Sequence, residues 1–191
     1  MAAPERIDLG SGLLLRRWRP ADAEAQSLAI AESREHLLPW MPWAASASLQ
    51  ERRTTLARWE QEWDAGGDLV YGLFLGAHVV GGCGLHRRLG PDGLEIGYWV
   101  HAAHTRRGYA TAASAALTSV AFTLPGITVV EIHHDRANLA SEGVPRKLGF
   151  MLIGESPQRS PAAPAESGIW RVWMMTRDTW RSPVVPAEPG G

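Results

Sequence analysis

Glu95-Ile-Gly-Tyr-Trp-Val100, followed after His101 to His104 by Thr105-Arg-Arg-Gly-Tyr-Ala110, is the stretch on which the fold turns. The first segment reads as a strand and the second as a glycine-bearing turn that opens a helix. Gly108 permits a tight turn and close backbone approach with no Cβ in the way, and Ala110 keeps the first helical turn slim. Unpaired N–H groups there point outward at the positive end of the helix dipole, a setting that suits a phosphate. Arg106 and Arg107 add mobile positive charge. Neither common nucleotide motif is present: the chain has no G-x-x-x-x-G-K-[S/T], and no G-x-G-x-x-G with an acidic residue about 20 positions on.

Upstream of the turn, Leu69 to Leu75 and Val79 to Leu85 read as strands joined by a hairpin at Gly76-Ala77-His78. A third strand, Leu94 to Val100, comes after the turn at Pro91-Asp92-Gly93 and completes an antiparallel meander. Leu13 to Trp18 reads as a first strand, stopped by Pro20 at the start of a helix with Asp22 and Glu24 in its acidic first turn and an end near Arg34. His36 to Trp43, with Pro39 and Pro42, reads as a loop. A second helix, Ser48 to Asp64, is expected from the near-helical spacing of Leu49, Leu56, Trp59 and Trp63, and ends at Gly66-Gly67.

Downstream, an Ala-rich helix runs to Phe122, Ile127 to His133 is a β-branched strand, and Asn138 caps a helix that Gly149 ends. Strands near Met151 to Glu155 and Ile169 to Met175 flank a Pro/Ala/Ser loop. The order β-α-α-β-β-β-α-β-α-β-β predicts an α+β domain: one mixed, mostly antiparallel sheet of about seven strands flanked by about four helices. Residues 1–181 are expected to form this single domain, and the Pro/Gly-rich residues 182–191 a disordered tail.

A chain of 191 residues can bury one core. Its formal net charge of -1 exerts no global pull on nucleic acid or anionic membrane. No apolar run reaches the roughly 18 residues of a membrane span, so the expectation is a cytoplasmic protein with neither a nucleic-acid nor a membrane partner. The single cysteine, Cys83, excludes an internal disulfide and a cysteine-rich zinc site, and reads as a small buried residue. His133 and His134 are adjacent on a strand and point to opposite faces, which argues against a metal pair; no metal is expected. His101 and His104 read as solvated loop residues. Most of the nine tryptophans should be core, with some lining a groove.

The segment Thr105 to Ala110 resembles motif A of the GNAT N-acetyltransferases, Q/R-x-x-G-x-G/A after a strand, with Thr105 where that pattern has Gln or Arg. Further segments resemble its RimJ/RimL branch: Leu15 to Ala23, Leu38-Pro-Trp-Met-Pro-Trp43, Glu95 to Trp99, and Asn138-Leu-Ala-Ser141 with Lys147-Leu-Gly-Phe150. The resemblance implies the GNAT fold, acetyl-CoA as co-substrate with other short acyl-CoAs open, and direct attack by a primary amine in a ternary complex. Within this branch the acceptor is a protein or peptide N-terminal amine. A small-molecule or antibiotic N-acetyltransferase and a non-catalytic acyl-CoA-binding sensor module stay open, as does a homodimer.

The resemblance also distributes roles. Trp99 and Val100 would offer backbone groups to the pantetheine amides, Thr105, Arg106, Arg107, Gly108, Tyr109 and Ala110 would hold the pyrophosphate, and Asn138 would reach the pantetheine arm. Many GNAT members carry a tyrosine acid four residues before the glycine of Lys-Leu-Gly-Phe, but Pro145 stands there, and Ser141 is the substitute that would serve the leaving sulfur. Pro145 also removes a helical N–H and frees the Ser141 carbonyl. Glu95 is the first candidate for general base, with His133, His134 and Asp135 behind it. Trp40, Trp43, His133 and Trp170 are the candidates for acceptor binding, in a pocket walled by the first two helices and the loops 39–43 and 157–167.

Overall fold

The structure, a computed structural model, describes residues 3–46, 48–158 and 162–182. Its strands are β1 (Arg6–Asp8), β2 (Leu13–Arg17), β3 (Leu69–Leu75), β4 (His78–His86), β5 (Gly93–Val100), β6 (Val129–Asp135), β7 (Met151–Pro157) and β8 (Ile169–Thr176). Helices α1 (Ala23–Glu32), α2 (Arg34–Leu37), α3 (Leu49–Asp64), α4 (Tyr109–Thr123) and α5 (Leu139–Lys147) pack around them. The eight strands form one sheet in the order β1-β2-β3-β4-β5-β6-β8-β7, antiparallel at every pairing except β5 with β6.

Two differences from the sequence reading have local causes. β1 is an additional strand, three residues with no buried position, held by pairing to β2 across a tight turn at Gly10, Ser11 and Gly12, all at positive φ. The expected first helix breaks at Ser33 into α1 and α2, and Pro42–Ala45 forms a 3-10 turn, so the stretch read as a loop from His36 to Trp43 is partly helical. Proline blocks a long helix there but is accommodated in the first turn of a short one. Of the expected tail, Ser182 lies against Ser119 of α4, and residues 183–191 fall outside the described residues.

Alternation along β3 divides the core. Leu69, Tyr71 and Leu73 join the cluster that packs α4 and α5, while Val70 and Phe74 join the one that packs α1 and α3 on the opposite face. Cys83 is buried in the first cluster, and burial pushes its thiol up, as expected of an inert packing residue.

Two features of the central strands create open space. β5 and β6 pair in register only from Gly93↔Val129 to Ile96↔Ile132, after which β5 continues to Val100 and β6 to Asp135 unpaired with each other. The sheet therefore opens into a gap at its parallel seam. On β4, a Cβ at Gly82 would sit 2.7 Å from the indole Nε1 of Trp99, so only glycine leaves room for that ring.

Candidate active site

At the turn that opens α4, Arg106 and Gly108 have φ of +60° and +81°, on either side of a residue at negative φ. Alternating signs of φ bend successive N–H groups toward a common centre, and the first-turn amides of α4 add to them. The turn is braced from behind. Thr105 Oγ1 donates to the Ala102 carbonyl (3.1 Å), and the Ala102 N–H donates to Ser33 Oγ (3.0 Å). His101 accepts from the Ala103 N–H at Nδ1 (3.1 Å) and meets Glu32 through Nε2 (3.0 Å). His104 stacks on Tyr109 with ring centroids 6.2 Å apart, and burial, helped by Arg107, holds it below the ordinary histidine range. These two histidines are structural supports of the turn and not the solvated loop residues expected from sequence. Arg106 and Arg107 are exposed above it. A groove of about 430 Å³ runs on past Gly108, Thr111, Ala112 and Ala115 to Lys147 and Leu148.

Across the gap, Asn138 caps α5 by accepting the Ser141 N–H at Oδ1 (3.1 Å). The hydroxyl of Ser141 is not turned back on its own helix. It lies 2.8 Å from the phenol of Tyr98, and that phenol also donates to the Ser141 carbonyl at 3.1 Å. This carbonyl is the one that Pro145 deprives of its helical N–H. Tyr98 therefore replaces the missing donor from a neighbouring strand. Burial pushes the phenol up, the hydrogen bond to Ser141 opposing in part, so it stays protonated and serves as a donor.

Beyond the gap the sheet, α1, α3 and the loops enclose a cavity of about 630 Å³. Six of the nine tryptophans line it: Trp18, Trp40, Trp43, Trp59, Trp99 and Trp170. Trp43 stacks edge-on against Trp99 at 6.1 Å, which is how Gly82 and the Pro42–Ala45 turn meet at one wall. The other wall is fixed by Asp135, which accepts from Ser167 Oγ and from the N–H groups of Ala137 and Gly168. Burial opposes ionisation of that carboxyl, but those bonds outweigh it and hold the group below its ordinary value. The same loop reaches the first wall through the Ala165 N–H to the Pro39 carbonyl, 3.0 Å.

The charged centre of the cavity is Glu95 with His133. Glu95 is 6% exposed; one oxygen takes Arg88 at 3.1 Å, and the other, Oε2, lies 3.7 Å from His133 Nδ1 with no hydrogen-bond partner for either atom. His133 Nε2 is committed to Glu131 at 2.6 Å, and Trp170 covers the ring at 5.6 Å. With Nε2–H donating to Glu131, Nδ1 carries a lone pair. In that neutral tautomer both Nδ1 and Glu95 Oε2 are buried acceptors without a donor, and a proton on Nδ1 turns the contact into an ion pair with Glu95.

His134, as the strand period requires, turns to the other side, where it accepts the Trp173 indole N–H at 2.9 Å. Burial lowers it from the ordinary histidine range, with the Asp135 carbonyl opposing. The structure thus gathers Glu95, His133, Trp40, Trp43 and Trp170 into one cavity, Asn138 and Ser141 at its edge, and the 105–110 turn apart from them. Sequence reading missed Tyr98, Glu131 and Arg88. Glu131 was accessible to it, since a residue two before His133 shares its face.

The family profile described as the Acetyltransferase (GNAT) domain matches residues 12–151. This chain belongs to the GNAT acetyltransferase family. Among GNAT relatives it is 26% identical over 147 residues, 75% of this chain and 80% of the other, to YdaF of Bacillus subtilis (strain 168), provisionally named a ribosomal N-acetyltransferase. Its fold is similar to Mycobacterium smegmatis RimJ, solved with a CoA disulfide (TM-score 0.82, 23% identity, 95% of this chain and 93% of that one). It is also similar to the RimL ribosomal L7/L12 alpha-N-protein acetyltransferase solved with coenzyme A (0.82, 19%, 90% and 98%). The microcin C7 self-immunity acetyltransferase MccE, solved with acetyl-CoA and AMP, is comparable in fold (0.82, 18%, 91% and 97%). The GNAT chain is thus an N-acetyltransferase. No helix among its described residues is long and apolar enough to cross a membrane.

Proposed function

We propose that this enzyme moves the acetyl group of acetyl-CoA to the N-terminal amine of a protein or peptide. The observation that carries the reading is the pair of buried, unpartnered acceptors Glu95 Oε2 and His133 Nδ1, facing each other at 3.7 Å inside the cavity that adjoins the gap in the sheet. An amine arriving as ammonium supplies the missing donor, and Glu95 takes its proton directly or through one water. Glu131 and Arg88 hold His133 and Glu95 in place. The names of the relatives point to a protein N-terminus as the acceptor.

The residues present fit acyl-CoA. The Arg106–Gly108 turn and the first turn of α4 suit its pyrophosphate, with Thr105 bracing the turn and Tyr109 and Ala110 starting the helix. Trp99 and Val100, on the part of β5 that β6 leaves unpaired, suit the pantetheine amides, and Asn138 flanks them. Acetyl-CoA supplies an activated acyl thioester; the protein positions the amine beside it and removes solvent, contributions that count in the barrier because they are made before reaction.

The one proton of the Ser141 hydroxyl donates to the Tyr98 oxygen, while the phenol donates to the Ser141 carbonyl. Ser141 turns that proton to the departing sulfur and gives a hydrogen bond rather than the proton itself, because a serine alkoxide is a far stronger base than a thiolate. The amine gives up two protons: one goes to Glu95 before the N–C bond forms, and the second leaves the tetrahedral adduct and ends on the sulfur as the C–S bond breaks. Tyr98 is a positioning residue that fixes the Ser141 rotamer.

Purified protein incubated with acetyl-CoA and unblocked peptides, N-acetylated peptides bearing lysine, and small amines, read by mass spectrometry, tests the reading. Acetylation of free N-termini ahead of lysine is expected. Acyl-CoA binding without transfer to any of them would make the protein a sensor module, and preference for small amines would overturn the N-terminal assignment.

A further inference from the structure

The acceptor cavity contains a second polar feature, remote in sequence from Glu95 and His133. Arg52 on α3 is 9% exposed, lines the cavity, and among the described residues has no carboxylate or carbonyl partner for its guanidinium; its Nε is buried and unbonded. The other arginines of this wall are differently placed. Arg58 pairs with Glu62 at 2.7 Å, and Arg88 with Glu95. Glu51, next in sequence to Arg52, bonds Ser46; its charge favours the guanidinium through space without a hydrogen bond to it, and burial outweighs that charge and holds Arg52 below its ordinary value.

Arg52, Thr55 and Trp59 lie at i, i+3 and i+7, one face of α3, and all three line the cavity. Opposite, on α1, Gln26 is 1% exposed and its Oε1 is buried without a donor. A guanidinium drawn mostly out of water with no hydrogen-bonding partner is costly, and a ligand reaching the cavity would complete it. Its planar fork matches a carboxylate.

We propose that Arg52 and Gln26 form a side-chain subsite of the acceptor pocket that takes an acidic residue near the N-terminus of the peptide. Arg52 holds the carboxylate, and Gln26 Oε1 accepts a peptide N–H beside it. The cavity is then bipolar, with the amine at Glu95 and His133 and the carboxylate at Arg52. This inference rests on the reading of the cavity as an acceptor site, though not on which amines are acetylated.

Binding, rather than turnover, separates the two. Isothermal titration in the presence of CoA compares C-terminally amidated peptides Ser-Ile-Glu and Ser-Ile-Gln, wild type against Arg52→Gln and Arg52→Lys. The acidic peptide should bind about ten- to a hundredfold more tightly to wild type, the range of a charge-assisted hydrogen-bonded pair. Arg52→Gln should abolish the preference and Arg52→Lys retain part of it. Equal affinity for both peptides, a preference that survives Arg52→Gln, or no binding of the acidic peptide overturns the subsite. Arg52→Met should melt no lower than wild type, because it removes an unpaired buried charge; a fall of more than a few degrees would make Arg52 a structural residue and also overturn it. If the acidic peptide binds through Arg52 but receives no acetyl group, the subsite stands and the N-terminal transfer reading fails.

Discussion

The turn at 105–110 and the acceptor cavity are built on opposite principles. The turn is made of backbone: two left-handed residues within three positions, a helix start, and a set of neighbouring hydrogen bonds. The cavity is made of side chains brought from α1, α3, β4, β5, β6 and the loop after β7, and its important atoms are those left without partners. A site made of backbone conformation is local in sequence and resists all substitutions but those that disturb φ. A site made of side chains is dispersed, and each member is open to change. This is why one scaffold retains a co-substrate while acceptors vary.

Damage to the turn should therefore appear in co-substrate affinity, and damage to the cavity in turnover. Gly108→Glu should have the largest effect. It forces a side chain into φ +81° and places a negative charge where phosphate is expected, so acetyl-CoA affinity should fall by more than about a hundredfold while the fold survives. Isothermal titration of the folded variant checks this, and retained affinity would remove the turn from the binding site.

Glu95→Gln comes next, lowering kcat by about 10² to 10⁴ with acetyl-CoA affinity unchanged, as befits loss of a general base. A matching loss of affinity would blur the division between the two regions. Tyr98→Phe should lower kcat by about tenfold and stability by about 1–3 kcal/mol, since the Ser141 carbonyl freed by Pro145 loses its donor. Equilibrium unfolding beside steady-state rates measures both, and an unchanged stability would show that water replaces the phenol.

The smallest effect is a pH dependence of stability, carried by His134 at the edge of the cavity, a residue the proposed chemistry does not use. His134 in the folded state lies below its ordinary value of about 6.5. The unfolded chain therefore binds the extra proton first, and stability falls as pH drops from that value toward the folded one. His134→Gln, which can still accept from Trp173, should lose a few degrees less in melting temperature between pH 7.5 and 5.5 than wild type. An identical loss in both would assign the acid sensitivity elsewhere.

Legibility in the sequence divides along the same line. The strand, turn and helix around Gly108 signal themselves through adjacent residues, and the order of strands and helices along the chain comes from turns and periodicity, whereas the placing of β8 between β6 and β7 does not. The freed carbonyl at Ser141 was legible too, because Pro145 is four residues away. Its partner was not: Tyr98 sits on a strand whose contact with α5 exists only after folding, and an aromatic there reads as core. Arg52 reads as one of many charges on a solvated helix until the packing of α3 against the cavity is known. His101 and His104 look solvated because nothing in the chain announces Glu32 or Tyr109 as neighbours. β1 is too short for any pattern to form.

The early end of the β5–β6 pairing at Ile96↔Ile132 has a consequence for the protein outside catalysis. Every sheet has two outer margins where unpaired N–H and C=O groups invite another strand; this one has a third, inside the molecule, on both sides of the seam. A bound acyl-CoA arm would satisfy those groups as a strand would, so starvation for acyl-CoA would leave an inner margin open to mispairing. Aggregation on heating should therefore track ligand supply more steeply than the melting temperature does, making the co-substrate a guardian of solubility for its own enzyme.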